Sequence, residues 1–366
     1  MLKKKIIATV TNDLAQDQRM IRICNSLQQA GYQVLLLGRL KKNSKPLVNR
    51  SFQQKRLYCF FQKGKWFYLE YNLRLTLFLL FKQADIFNAV DLDTILPNLI
   101  AAKLKRKKLV YDAHEYFTEV PEVIRRPAIK KIWERIAAFA VPKVDLAYTV
   151  GPQLAKIMGK RYDKNFEVIR NLPLQQNFPL TKPNNESKII LYQGMLNEGR
   201  GLEQFILAMH HIENAVFWLV GSGDLMEELQ RLVKKEALEE KVIFKGFVPP
   251  DQLREYTIKA DLGINLLENT GLSYYYSLAN KALDYIQAGL PSLQMNYPEY
   301  AHINGQYNCF VLLNELEPDD IAKCVNSLLE INETYHQISK NCLSAAKTLN
   351  WEQEQLKLFD IYKGLN

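Results

Sequence analysis

Lys281 and Asp284 sit three residues apart in residues 268–291, ENTGLSYYYSLANKALDYIQAGLP, and with Asn280 share one face of a short helix. Ala279, Ala282, Leu283 and Ile286 recur at spacings of three and four and form its apolar stripe. The run Ala288-Gly289-Leu290-Pro291 ends the helix and opens a strand. A cation and a carboxylate at a helix start suit a ligand carrying both phosphates and a diol. The plain alternative is a surface ion pair worth about 0.2–0.5 kcal/mol.

Two other segments hold chemistry-bearing side chains. In residues 192–202, YQGMLNEGRGL, Gly194, Gly199 and Gly201 allow close backbone approach, and Arg200 stands where a helix begins, either to meet a phosphate or as a solvated turn residue. Gly221-Ser222-Gly223 reads as a tight strand–helix turn. In residues 110–119, VYDAHEYFTE, Asp112, His114 and Glu115 cluster at a strand end. His114 is one of five histidines, and the one with carboxylates beside it in such a loop. Asp112 or Glu115 orients the imidazole, or each contacts a ligand hydroxyl; a hydrogen-bonded histidine at a helix start is the alternative. Asp91-Leu-Asp-Thr94 is an N-cap pattern. Residues 65–82, KWFYLEYNLRLTLFLLFK, including Trp66, either dip into a membrane interface or form a core helix. Arg125, Arg126, Lys130, Lys131 and Arg135 form a second basic segment, for an anionic surface or for solvent.

Strands and helices must alternate to position these groups. In the first half, strands are expected at 5–11, 32–38, 86–89, 108–111 and 146–150, with helices at 17–31, 93–104 and 128–140. In the second half, strands are expected at 188–193, 216–220, 242–245 and 262–266, with helices at 202–209, 224–235 and 249–259. Such alternation predicts an α/β fold of two doubly wound parallel sheets, with ligands at the carboxyl ends of the strands in a cleft between facing domains. The boundaries read as an N-terminal domain over 1–170, a linker over 171–186 that is proline-rich at 171–185, a C-terminal domain over 187–349, and a closing helix over 350–366 that packs back on the N-terminal domain.

Composition narrows the partners. No apolar run of the 366 residues approaches the roughly 20 needed to span a bilayer. The short apolar stretch 6–10 behind Lys3–Lys5 reads as a buried strand rather than a signal peptide. Five scattered cysteines without a CxxC argue against a zinc site or disulfide framework and for a reducing compartment. Residues 1–180 carry a net charge of +18 and residues 181–366 one of −9, so the two halves face different partners, the first an anionic one.

In order along the chain, DLAQDQRMIRICNSLQQAGYQVLLLGR, DLDTILPNLIAAKL, LVYDAHE, VIRNLP, YQG…EGRGLE, LVGSGD, VIFKGFVPPDQLREYTIKADLGINLL and YYYSLANKALDYIQAGLP resemble the retaining family 4 glycosyltransferases. The resemblance covers nearly the whole chain and implies the GT-B fold. It also implies sugar transfer with retention from a nucleotide-diphosphate sugar, UDP- or GDP-linked, to a glycan or lipid-linked acceptor in polysaccharide biosynthesis. By that resemblance Arg200 and Lys281 hold the donor diphosphate and Asp284 the ribose. Asn280 lies in a Pro-Asn-Lys-like frame, and His114, flanked by Asp112 and Glu115, lies near the transferred sugar. The chain departs from the pattern where Met195 replaces an arginine, and where Tyr276 and Asp284 replace the two glutamates of an E-x7-E motif. With Arg200 and Lys281 supplying positive charge, no metal is expected. The expected enzyme is cytoplasmic, peripheral at an anionic membrane surface, and does not bind nucleic acid. A nucleotide-sugar epimerase of the same fold and a non-catalytic basic membrane- or nucleic-acid-binding protein are the alternatives.

Overall fold

The computed structural model describes residues 3–175, 187–250, 252–330 and 332–365. The chain divides into two compact units, residues 1–171 with 353–366, and residues 172–352. Most of the proline-rich segment read as a linker, 176–186, lies outside the described residues.

In the first unit seven strands form one parallel sheet: β1 Lys5–Thr9, β2 Gln33–Leu40, β3 Gln53–Tyr58, β4 Ile86–Val90, β5 Lys108–Ala113, β6 Leu146–Thr149 and β7 Phe166–Val168. Their order is β3-β2-β1-β4-β5-β6-β7. β4 (Ile-Phe-Asn-Ala-Val) is buried along its whole length, as a central strand covered on both faces must be. β3 (Gln-Gln-Lys-Arg-Leu-Tyr) is an edge strand and largely exposed. Its polar composition hides it from an apolar-run reading, and β7 has only three residues. The helix Pro152–Tyr162 was likewise not foreseen. The helix Gln18–Gln29 starts where expected, with the Asp17 carboxylate accepting from the Met20 amide at 3.0 Å. In the closing helix Trp351–Lys363, Tyr362 is fully buried in this unit, its hydroxyl accepting from Asn88 Nδ2 at 3.1 Å and its ring edge-on to Tyr32.

The second unit repeats the plan with six parallel strands: β8 Lys188–Gln193, β9 Ala215–Val220, β10 Val242–Gly246, β11 Leu262–Asn265, β12 Ser292–Met295 and β13 Val311–Leu313, in the order β10-β9-β8-β11-β12-β13. In each sheet the chain reverses direction between the first and fourth strands, β1 and β4 or β8 and β11. At that switch point the loops splay apart beyond the carboxyl strand ends, where α/β sheets take ligands.

Candidate functional site

In the second unit, the expected donor residues gather at the β8–β11 switch point. The helix Asn280–Gln287 packs hard on β11, where a Cβ on Gly263 would lie 2.5 Å from the Tyr285 ring. Tyr285 donates to the Leu191 carbonyl at 3.1 Å, and the Ala279 amide at the helix start donates to the Tyr300 hydroxyl at 3.0 Å. The helix start is thereby fixed against both β8 and the neighbouring helix Pro298–Tyr307. Ala282, Leu283 and Ile286 of the expected apolar stripe are buried.

Lys281 is not the surface residue that a plain ion pair would require. It is only 8% exposed, and its Nζ lies 3.6 Å from the Tyr192 ring centroid. Among the described residues no carboxylate lies within ion-pair distance of it. Burial lowers its pKa well below the usual lysine value, and the neighbouring positive charge of Arg200 lowers it further. Arg200 stacks its guanidinium 4.9 Å from the Tyr274 ring centroid, and its buried Nε has no hydrogen-bond partner among the described residues. Two mutually repelling cations, each on a tyrosine face, form an anion-receiving arrangement.

The surrounding turns are shaped to this pair. Gly194 has φ +138°, and a Cβ there would lie 3.4 Å from Lys281 Nζ. Gly199 has φ +79°, and a Cβ would lie 2.8 Å from the Tyr274 ring. Asp284 is reached through a short chain: Thr257 Oγ1 donates to Gln193 Oε1 at 2.9 Å, and Gln193 Nε2 donates to Asp284 Oδ2 at 3.3 Å. Asn280 is exposed on the same helix. Tyr276 is half-buried and packs edge-on against Tyr275 at 4.9 Å; its ring partner is neither cation.

In the first unit, Asp112, Asp91 and His114 meet where β4 and β5 end. Asp112 is fully buried and bonds Arg19 Nη2 at 2.7 Å and His114 Nε2 at 3.3 Å. The Asp91 side chain does not cap the following turn, contrary to the sequence expectation. Its backbone takes φ +55°, turning the carboxylate toward His114, whose amide it accepts at 2.9 Å and whose Nδ1 lies at 3.6 Å. Both imidazole nitrogens are therefore engaged. Although burial opposes charge on the ring, Asp112 and Asp91 outweigh it and push the His114 pKa up to about 9. Asp112 is held down at about 2 because Arg19 and His114 outweigh its burial. Burial pushes Asp93 up to about 6, and its carboxylate accepts from Thr11 Oγ1 at 2.6 Å. Glu115 is exposed, and the imidazole is oriented by Asp91 and Asp112 rather than by Glu115.

Arg19 and Tyr192, which contact these groups, were not foreseen. Arg19 had left a signal: it precedes Ile23 and Leu27 at spacings of four on the buried helix face, where a charge needs a partner. Of the basic and aromatic candidates for an anionic surface, Trp66, Arg125, Arg126 and Lys131 are exposed, while Lys130 pairs with Glu119 at 2.8 Å.

Residues 175–343 match the family model described as Glycosyl transferases group 1. The matched residues lie within the second unit. A curated relative, an uncharacterized glycosyltransferase of Methanocaldococcus jannaschii, is 33% identical over 110 residues, which is 29% of this chain and 27% of that protein. The aligned stretch thus spans about a quarter of that relative's length. Among solved structures, HepE of Anabaena in complex with UDP and glucose superposes with a TM-score of 0.78 at 14% identity, covering 98% of this chain and 99% of that one. Sucrose-phosphate synthase of Thermosynechococcus elongatus gives 0.78 at 16% identity, with 99% of each chain covered. WaaG, a glycosyltransferase involved in lipopolysaccharide biosynthesis, gives 0.74 at 16% identity over 97% of this chain and 99% of that one. At such identities the likeness is one of fold, and the fold of this chain is GT-B.

Proposed function

We propose that this chain is a glycosyltransferase that moves a hexosyl group from a nucleotide-diphosphate sugar to a glycan or lipid-linked acceptor. The observation that carries this reading is the buried Lys281 beside Arg200, with no carboxylate at ion-pair distance among the described residues, at the switch point of the unit that matches the group 1 model. Cleavage of the donor's glycosidic bond builds negative charge on the β-phosphate. Arg200 and Lys281 stabilise that charge from fixed positions, with no reorganisation at the moment of reaction. The amides at the start of the helix Asn280–Gln287 add their dipole. Asp284, oriented through Gln193 and Thr257, accepts from the ribose diol.

In the first unit, His114 has no ring nitrogen left to take a proton, so it acts as a fixed imidazolium that holds its own loop in place. The two cations supply the charge that a divalent ion supplies elsewhere, so transfer proceeds without metal, and the resemblance to family 4 implies retention. The donor is UDP- or GDP-linked, and the product belongs to a cell-surface polysaccharide made at the cytoplasmic face of the membrane. HepE's complex with UDP-glucose supports the uridine donor by likeness of fold.

A thermal-shift panel of UDP, GDP and their sugars tests the donor assignment, since a ligand of the folded state raises its stability by RT ln(1+[L]/Kd). A shift with one diphosphate series, lost in Lys281→Ala and Arg200→Ala, is the expected result. Unchanged binding in both variants overturns the phosphate assignment, and loss of turnover on adding a chelator overturns the metal-free mechanism.

A further inference from the structure

In the first unit the helix Gly64–Phe81 carries two apolar stripes on opposite sides. Phe67, Tyr71, Leu75 and Leu79 are buried against the sheet. On the far side Trp66, Leu69, Leu73, Leu77 and Phe81 are exposed, Leu73 to 61% and Phe81 to 86%. The core therefore accounts for only half of this helix's apolar surface. The next helix, Ile95–Lys105, packs beside it and exposes Ile100 and Leu104. The helix Pro127–Ala140 packs beside that one and exposes Ile129, Ile132 and Phe139. Right-handed crossovers from β3 to β4 to β5 to β6 place all three helices on one face of the sheet, and the edge-on contact of Tyr68 with Trp133 at 5.7 Å joins the first to the third.

The charges on this face are mostly positive. The three helices contain seven Lys or Arg and two Glu. Both glutamates are already matched: Glu70 with Arg74 at 2.8 Å and Glu134 with Arg161 at 2.9 Å. Glu70 also accepts from the amides of Phe60 and Phe61, at 3.0 and 2.9 Å, which fixes those two exposed rings beside the helix. Lys65, Lys103, Lys131 and Arg135 have no carboxylate at ion-pair distance among the described residues. Lysine and arginine stems among exposed aliphatic and aromatic side chains are the composition of a surface lying in a headgroup layer, with the cations reaching up to phosphates. A protein partner of the ordinary kind selects against lysine at the centre of its contact.

We propose that the face formed by these three helices docks in the plane of an anionic lipid bilayer, with Leu69, Leu73, Leu77 and Phe81 entering the acyl boundary. Among the described residues no helix is long and apolar enough to cross a membrane, so the contact is lateral. The inference gives a surface to the membrane named in the proposed function, and it is read without donor or turnover, so the two can fail separately.

Flotation of the full chain with phosphatidylcholine vesicles, with and without phosphatidylglycerol, tests it. The wild type is expected to float with the anionic vesicles and to be released by salt. Leu73→Ser with Leu77→Ser weakens that binding roughly tenfold or more by removing buried methylenes. Lys103→Glu with Lys131→Glu weakens it by a similar factor and flattens the salt dependence. Both pairs alter exposed side chains, so the melting temperature and nucleoside-diphosphate binding stay at wild-type values. Three results overturn the proposal: no flotation of the wild type, flotation indifferent to both variant pairs, or a wild-type dimer dissociated by the leucine pair, which assigns the face to a second copy of the chain.

Discussion

The two switch points treat buried charge in opposite ways. In the first unit the buried cations are answered by carboxylates: Arg19 by Asp112, and His114 by Asp112 and Asp91. In the second, Lys281 and Arg200 are answered by the faces of Tyr192 and Tyr274, which attract a cation without neutralising it. A closed network fixes geometry and has nothing left to offer an ionic ligand. An open one is held in place yet still short of negative charge. The same topology thus carries a closed charge network in one unit and, on the function proposed above, an anion receptor in the other.

Removing one partner from each site should break the contrast most sharply. Asp112→Ala leaves the Arg19 guanidinium buried and unpaired, and should cost about 3–5 kcal/mol of stability in chemical denaturation. Lys281→Ala should have the opposite signature. It removes a buried, unmatched ammonium, so stability holds or rises, while nucleoside-diphosphate affinity falls by about 2–4 kcal/mol in calorimetry. Equal losses of stability in both variants would erase the distinction between the sites.

A smaller effect separates ring from hydroxyl. Tyr192→Leu removes the platform beneath Lys281 and should weaken diphosphate binding by about 1 kcal/mol. Tyr192→Phe keeps the ring and loses only the bond from the hydroxyl to the Met195 carbonyl, so its affinity should stay near wild type.

The mildest test is pH. His114 has a folded pKa of about 9, above its ordinary value of 6.5. Its stabilisation is complete below pH 6.5 and is lost as pH rises through about 9. The melting temperature should fall across that window, and His114→Gln should flatten the fall. Asp112 contributes at the other end. With its folded pKa at about 2, it stabilises above pH 3.8 and loses that contribution as pH drops toward 2.

Sequence patterns revealed the central strands and the helix Asn280–Gln287 because each carries a strong apolar period. They did not reveal β3, since a polar edge strand has no such period. Arg200, Lys281 and Asp284 were legible as chemistry because cations and carboxylates stand out beside glycine turns. Tyr192 was not, because a tyrosine reads as core until a cation is seen on its ring. The role of Asp91 was hidden for a related reason. Its residue type and position fit a helix cap, and only the left-handed backbone at φ +55° turns the carboxylate toward His114. For the stretch after Lys65, the alternatives of core helix and membrane contact presupposed one apolar stripe, whereas the helix has two.

The lowered basicity of Lys281 has a consequence for how binding is measured. Burial and Arg200 both disfavour the charged form of this side chain, whereas an arriving diphosphate favours it, so binding and protonation of the nitrogen are coupled. Where the nitrogen titrates, association takes up protons from the solution. The heat released on titration should therefore vary with the ionisation enthalpy of the buffer, giving a proton count that reports whether this one nitrogen has met its phosphate.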